Sequence, residues 1–418
     1  MGGFADDVSR IHKVLSAVLD PTPLQHSQYL SDLHRADIWL KREDLSPVRS
    51  YKVRGAFAFV HDVLQEDPDR KLFVCSSAGN HAQGFAYACR HFGKTGVVFM
   101  PLTTPQQKIA KTRSFGAPLV EIELVGDGFD AANAAATAFC AQKGGVMVPP
   151  FDHPRIIRGQ ATVGKEILEQ SPRDRVWDRV IMPVGGGGLS AGVTRYFEEV
   201  GAHPAFSFVE PDAAPSLHES LSAGERRRLD RVDNFVDGAA VAQIGAENFG
   251  QLKKFGPDQV ILAPTDGVCA TMIDMLNIEG IVLEPAGALA IDALHRLPKA
   301  DVEGRSIVCV VSGGNFDFER LPEVKERALR FSGLKKYYLI QLPQRPGALK
   351  DFLTLLGPED DIARFEYMKK SARNFGTVLL GIESKRPENF DTLCERLDAS
   401  DLRWEDITDD EAIANFVI

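Results

Sequence analysis

No apolar run in the 418-residue chain approaches the roughly 18 residues that a membrane-spanning helix needs, so nothing in it reads as a membrane span. Cysteine is sparse: Cys75, Cys89, Cys140, Cys269, Cys309 and Cys394 are scattered, with no Cys-x-x-Cys pair and no Cys/His cluster at metal-ligand spacing. The expectation is therefore no disulfide framework, no structural zinc and a reducing compartment. Residues 1–10 carry Asp6 and Asp7 but no apolar stretch of signal-peptide length, and position 6 is not the Ser or Thr of a myristoylation site. A cytoplasmic protein is expected. Internal repeats and low-complexity tracts are missing too. So is an excess of positive charge: 48 Lys and Arg stand against 58 Asp and Glu. The resulting net charge of -10 disfavours non-specific binding of nucleic acid. The one dense basic run, Arg226 to Arg228, has acidic neighbours and reads as a solvated loop or helix end.

The composition that remains, 44% hydrophobic and 25% charged, is that of a globular protein long enough for two or three domains. From about Ile38 to Leu262, short β-branched runs alternate with longer Ala-rich stretches of helical spacing. The runs are Leu72 to Cys75, Thr95 to Met100, Pro118 to Leu124, Val180 to Val184 and Phe206 to Glu210. This alternation predicts an α/β fold, a doubly wound parallel sheet with helices on both faces. A further buried strand, Ser306 to Val311, precedes Ser312-Gly313-Gly314-Asn315, and charged helical sequence then runs to about Leu334. Beyond Lys335 the order changes to strand (Tyr337 to Leu342), helix (Ala348 to Leu356), two strands (Ile362 to Lys369, Thr377 to Glu383) and helix (Phe390 to Leu397). That order predicts a separate ferredoxin-like unit, with the boundary near Ser332 to Lys335.

Four segments carry chemistry. Gly185-Gly186-Gly187-Gly188 follows an apolar strand and opens a helical run at Leu189, so unhindered backbone N–H groups meet a helix N-terminus, a site for a phosphate. The same segment fits a looser dinucleotide fingerprint, Gly186-x-Gly188-x-x-Ala191, with Glu210 ending the next strand about 20 residues later. An NAD-binding oxidoreductase is the alternative on that segment alone, although the fingerprint usually opens its domain and here several strands precede it. Ser76-Ser77-Ala78-Gly79-Asn80-His81 also lies between a strand and an Ala-rich helix. Its N–H groups and hydroxyls suit a carboxylate and the Asn80 amide suits a phenolic or carbonyl oxygen, the alternatives being a plain helix cap and, for His81, a structural histidine. In Ser50-Tyr51-Lys52-Val53-Arg54-Gly55-Ala56 a lysine stands beside an aromatic residue at a helix start, surroundings that disfavour its ammonium as a Schiff-base amine requires. Ser312, finally, ends a strand at the carboxyl edge where open α/β sheets bind ligands. Taken together, an imine-forming lysine, a one-phosphate cradle, a carboxylate loop and a strand-end serine describe a pyridoxal 5'-phosphate site acting on an amino acid.

Lys41-Arg42-Glu43-Asp44-Leu45, followed in order by the Ser50–Ala56, Ser76–Gly84, Gly185–Leu189 and Ser312–Asn315 segments, resembles the threonine/serine dehydratases of pyridoxal-phosphate fold type II. Gln344-Arg345-Pro346-Gly347-Ala348-Leu349 and the stretch from Leu356 to Tyr367 are similar to the ACT-like regulatory domain of the biosynthetic members, present here in a single copy. The resemblance implies two doubly wound subdomains of the tryptophan synthase β-like kind in residues 1–333, the smaller (about 45–150) inserted in the larger, and an ACT-like domain in 334–418. It implies Lys52 as the lysine that binds the cofactor and serves as base. Asn80 is then at the cofactor's 3-oxygen, Gly185, Gly186, Gly187, Gly188 and Leu189 at its phosphate, Ser312 at its ring nitrogen, and Gly238 and Glu284 along its ring.

For Glu284 a helix-capping carboxylate is the alternative. Ser76, Ser77, Ala78, Gly79, Asn80 and His81 are expected to take the substrate carboxylate. The implied reaction is deamination of L-threonine to 2-oxobutanoate, with isoleucine inhibiting, valine opposing it, and a homotetramer as the assembly. Within the family the alternatives are a catabolic dehydratase and a serine racemase. The racemase needs a serine where this chain has Ala78, and places a cation near the equivalent of Glu210. Trp39, Trp177 and Trp404 fall outside every motif and read as packing residues.

Overall fold

The computed structural model describes residues 2–172, 175–368 and 374–410, and its backbone contacts divide the chain into two units. One holds residues up to Val268 together with Met275–Asp317; the other holds Cys269–Asp274 and the chain from Phe318 onward.

The first unit is built on two sheets. Strands β1 (Leu24–His26) and β2 (Asp37–Arg42) belong to one, and the chain then leaves it for β3 (Leu72–Ser76), β4 (Thr95–Met100), β5 (Val120–Leu124) and β6 (Val146–Met147). It returns as β7 (Arg179–Pro183), β8 (Ala205–Pro211), β9 (Val260–Ala263) and β10 (Ser306–Val311). The six-stranded sheet has the order β1-β2-β10-β7-β8-β9, parallel except for β1, and the four-stranded sheet has the order β5-β4-β3-β6, parallel throughout. Parallel strands covered on both faces read as continuous apolar runs, and Ser306-Ile307-Val308-Cys309-Val310-Val311 is buried from Ile307 onward between β2 and β7. The described strands thus form the α/β architecture expected of the alternating pattern.

The Lys41–Asp44 segment has a structural use that its charges conceal. Lys41 is fully buried and its Nζ donates to Glu166 Oε2 at 2.6 Å and to the Thr22 carbonyl at 2.5 Å. Arg54 donates to Glu43 Oε2 at 2.8 Å, and to Glu166 Oε1 and Oε2 at 2.6 and 2.7 Å. Two cations and two carboxylates, all buried, therefore tie the end of β2 and the helix Lys52–Glu66 to the helix Pro154–Glu169. Arg42 and Asp44 form a separate bidentate pair, both contacts at 2.8 Å.

In the second unit β11 (Lys335–Pro343), β12 (Asp360–Met368), β13 (Phe375–Ser384) and β14 (Arg403–Asp406) form an antiparallel sheet in the order β12-β13-β11-β14. The helices Ala348–Leu353 and Glu388–Asp398 bury Phe352 and Phe390 with Tyr338, Ile340 and Leu380. This is the ferredoxin-like arrangement. The helix Leu321–Phe331 groups with it: Lys335 Nζ donates to Glu326 Oε2 at 2.6 Å, and the Tyr337 hydroxyl to Glu326 Oε1 at 2.7 Å. The expected end of β12 at Lys369 lies outside the described residues. No helix among the described residues is long and apolar enough to cross a membrane.

Candidate active site

The carboxyl ends of β3, β7 and β10 lead into Ser76–Asn80, Gly185–Gly188 and Ser312–Asn315, and segments from all three line one cavity of about 900 Å³. Its wall includes Lys52, Ser76, Ser77, Ala78, Gly79, Asn80, His81, Gly185, Gly238, Glu284 and Ser312, residues that sequence motifs single out independently. Gly186, Gly187, Gly188 and Leu189 are not part of that wall.

Lys52 is the first residue of the helix Lys52–Glu66. The helix Asn80–His91 crosses it so closely that a Cβ on Gly84 would lie 2.9 Å from the backbone of Val53. Lys52 Nζ donates to the Pro150 carbonyl at 3.2 Å and stands 5.4 and 5.8 Å from the ring centres of Tyr51 and Phe151. Burial lowers its pKa to about 8, and the Glu284 charge opposes the shift. A lysine in this state is neutral in a fraction on the order of one-tenth at pH 7, far more than a solvated one.

Across from it, Asn80 Nδ2 donates to Glu284 Oε1 at 2.6 Å, while Asn80 Oδ1 accepts from Asn315 Nδ2 at 2.7 Å. Asn315 Nδ2 also donates to the Val48 carbonyl at 2.8 Å, so both ends of the Asn80 amide are fixed. Burial pushes the Glu284 carboxyl up to about 7, Asp237 adds to the rise, and the Asn80 bond opposes it. Glu284 occupies the N-cap position of the helix Pro285–Asp292, yet its side chain makes no capping bond and turns to Asn80 instead. A Cβ on Gly238 would meet Ala286 Cβ at 2.8 Å and Glu284 Oε1 at 3.6 Å, so that backbone packs against Ala286 beside the carboxylate. Ser312 is buried; its Oγ donates to the Ala286 carbonyl at 3.1 Å and its own carbonyl accepts from Tyr51 N at 3.2 Å.

In the second loop Ser77 Oγ accepts from Gly79 N at 3.2 Å, whereas the buried Ser76 Oγ has no hydrogen-bond partner among the described residues. His81 Nε2 donates to the Val148 carbonyl at 2.9 Å, and burial, then the Lys52 charge, lowers its pKa to about 4. It is a neutral, anchored ring at pH 7.

The glycine turn is shaped by Phe151, which no motif marks. A Cβ on Gly186 would fall 2.2 Å from the Phe151 ring and one on Gly188 2.9 Å from its carbonyl oxygen. Gly187 has φ +87 and caps the helix Gly188–Glu199, a conformation that favours glycine. The N–H groups of that first turn have no partner within the helix, and the buried Ser190 Oγ has none among the described residues. An amine with a lowered pKa, in one cavity with the first residue of an anion-binding turn, suits a phosphorylated carbonyl compound.

Glu210, the acidic residue of the dinucleotide fingerprint, accepts from Leu217 N at 2.8 Å and His218 N at 2.9 Å and so caps the helix Ser216–Ala223. Both of its oxygens serve that cap. Among the described residues no group of three His, Cys, Asp or Glu is placed to hold a metal. Arg226 to Arg228 are exposed loop residues, as expected, but Arg226 and Arg228 also line the cavity.

Residues 15–313 match the family described as pyridoxal-phosphate dependent enzyme, and residues 326–417 match the C-terminal regulatory domain of threonine dehydratase. The chain is 41% identical over 414 residues to the biosynthetic L-threonine dehydratase IlvA of Halalkalibacterium halodurans, covering 99% of each chain. It is 45% identical over 403 residues to the protein of the same name from Mycobacterium bovis, covering 96% of this chain and 92% of that one. Among solved structures, the processed form of threonine deaminase isoform 2 from Solanum lycopersicum superposes with a TM-score of 0.71 at 35% identity, over 78% of this chain and 95% of that chain.

Proposed function

Since the chain belongs to the pyridoxal-phosphate-dependent enzymes, and among them to the biosynthetic threonine dehydratases, we propose that it deaminates L-threonine to 2-oxobutanoate and ammonia. Water is eliminated across Cα and Cβ, and the unsaturated amine that results is hydrolysed to the oxoacid. The observation that carries the reading is that one cavity is lined by Lys52, by Gly185 at the start of the glycine turn and by the Ser76–His81 loop at a helix N-terminus.

Bound pyridoxal phosphate supplies the electron sink that makes the substrate Cα–H acidic. Lys52 holds the cofactor through its Nζ and, once released, takes the Cα proton. The backbone N–H groups of Gly185, Gly186, Gly187, Gly188 and Leu189 hold the phosphate. With the cofactor bound, Asn80 would serve its 3-oxygen, and Gly238 and Glu284 would flank its ring. Ser312 would face the ring nitrogen, where a hydroxyl, unlike a carboxylate, would not enforce protonation and would favour elimination over transamination. The loop Ser76 to His81 takes the substrate carboxylate, and the unpartnered Ser76 Oγ supports that assignment. Ala78 has no proton to exchange, so racemisation is minor.

Residues 1–333 carry the reaction and 334–418 regulate it, in a cytoplasmic homotetramer that begins isoleucine biosynthesis and also accepts L-serine. Isoleucine binds at the loop Pro343–Ala348 and inhibits, and valine opposes it. The test is formation of 2-oxobutanoate and ammonia from L-threonine, followed with and without isoleucine. Equimolar products support the reaction and a rightward shift of the threonine saturation curve supports the regulation. Absence of product refutes the first, and an unchanged curve refutes the second.

A further inference from the structure

Three residues of the helix Asn80–His91 line the cavity, Asn80, His81 and Gln83, and of these Asn80 and Gln83 lie one turn apart on the same face. The next residue, Gly84, is the point at which this helix touches Lys52 and Val53: a Cβ there would lie 3.1 Å from the Lys52 carbonyl carbon. Gln83 is therefore held beside the start of the lysine-bearing helix. It is 2% exposed, and its Oε1 is a buried acceptor with no hydrogen-bond partner among the described residues. Buried polar atoms are normally paired, and one that lines a cavity is paired by what enters the cavity.

We propose that Gln83 is the contact for the β-hydroxyl of the substrate, and so determines which amino acids the site accepts. This rests on the threonine reading above. L-Threonine brings three polar groups. Its carboxylate is assigned to the Ser76–His81 loop and its amine to the cofactor carbonyl, which leaves the hydroxyl. A hydroxyl is both donor and acceptor, as is a neutral primary amide, and the pair brings no charge next to Lys52. Gln83 then orients the Cβ–O bond in the ground state; it donates no proton to the departing oxygen. An analogue without the hydroxyl leaves the buried amide unpaired and is disfavoured for that reason.

The test uses the holoenzyme and the variant Gln83→Met, which keeps length and volume but cannot hydrogen-bond. Two numbers are read from one assay: the KM for L-threonine, and the inhibition constant of L-2-aminobutanoate, which is threonine without its hydroxyl. The expected result is a KM raised about tenfold, the loss of one hydrogen bond to threonine, with the inhibition constant lowered because the analogue no longer buries an unpaired amide. Equal weakening of both ligands gives Gln83 a purely structural role and overturns the proposal. So does no change in either, since solvent then satisfies the amide. If the parent enzyme makes no 2-oxobutanoate, the reaction itself fails and takes the proposal with it, an outcome separate from the comparison of the two ligands.

Discussion

The buried charge cluster under the lysine-bearing helix makes a quantitative prediction for Glu166→Gln. Glu166 accepts charge-assisted bonds from Lys41 at 2.6 Å and from two Arg54 nitrogens at 2.6 and 2.7 Å, and Lys41 is 0% exposed. Removing its charge leaves two buried cations facing Glu43 alone. Breaking a buried pair from one side costs about 3–5 kcal/mol. At about 2 °C per kcal/mol for a unit of this size, the unfolding midpoint of the holoenzyme at pH 7 drops by about 6–10 °C.

The pH dependence follows from the carboxylate. Burial would raise its pKa, but Arg54, His12 and Lys41 outweigh burial and hold it far below the usual range. A carboxyl with a depressed folded pKa contributes stability above its unfolded pKa of about 4.5, and the contribution is lost as pH falls toward the folded value. The gap between parent and variant is therefore full at pH 7 and narrows below about pH 4.5. Thermal unfolding followed by circular dichroism at pH 7, 5 and 4 reads it. A midpoint within about 1–2 °C of the parent at pH 7, or a gap that widens on acidification, would show that the Glu166 charge does not stabilise this cluster.

Three further outcomes are expected. Gly84→Val places side-chain atoms against the Val53 backbone, 2.9 Å from where its Cβ would stand, and the displaced Lys52 loses on the order of 100-fold in kcat/KM while circular dichroism is retained; an active variant would contradict the crossing. Glu284→Gln removes a carboxyl that burial, and then Asp237, raises to about 7. The folded parent keeps a proton that the unfolded chain has lost, so it gives up about 3 kcal/mol of stability between pH 4.5 and 7. The variant does not, and parallel denaturation curves at pH 5 and 8 would count against this. His81→Gln keeps the acidic limb of the kcat/KM profile, because His81 with a pKa near 4 does not titrate between pH 6 and 8; a limb near 6.5 that disappears would assign His81 a proton-transfer role.

Much of the fold is legible where local pattern and tertiary context agree. Thr95–Met100 and Ser306–Val311 are strands with the bounds that their β-branched runs predict. The strands without such a signal are short or polar, like β1 of three residues, β6 of two and the charged Arg403-Trp404-Glu405-Asp406 of β14, which form only because a neighbouring strand is already there. The site follows the same rule. Glycines and serines at strand ends announce themselves, because only backbone chemistry explains four consecutive glycines. The pairs that complete the site join Asn80 to Glu284 and Arg54 to Glu166, and no sequence period links such distant residues. Lys41 and Glu43 carry surface-type charges yet are fully buried, and Phe151 is an unremarked aromatic until it is seen filling the space beside Gly186.

The proposed function stands or falls with Lys52 as the residue that binds pyridoxal phosphate and acts on threonine. The direct measurement is the visible absorbance of the purified protein supplied with pyridoxal phosphate, alongside Lys52→Ala, with 2-oxobutanoate followed after L-threonine is added. The expected result is a visible band of lysine-bound cofactor in the parent, lost in the variant, and oxoacid formed by the parent alone. A parent without that band after cofactor is supplied, or a variant that forms oxoacid at the parental rate, would contradict it.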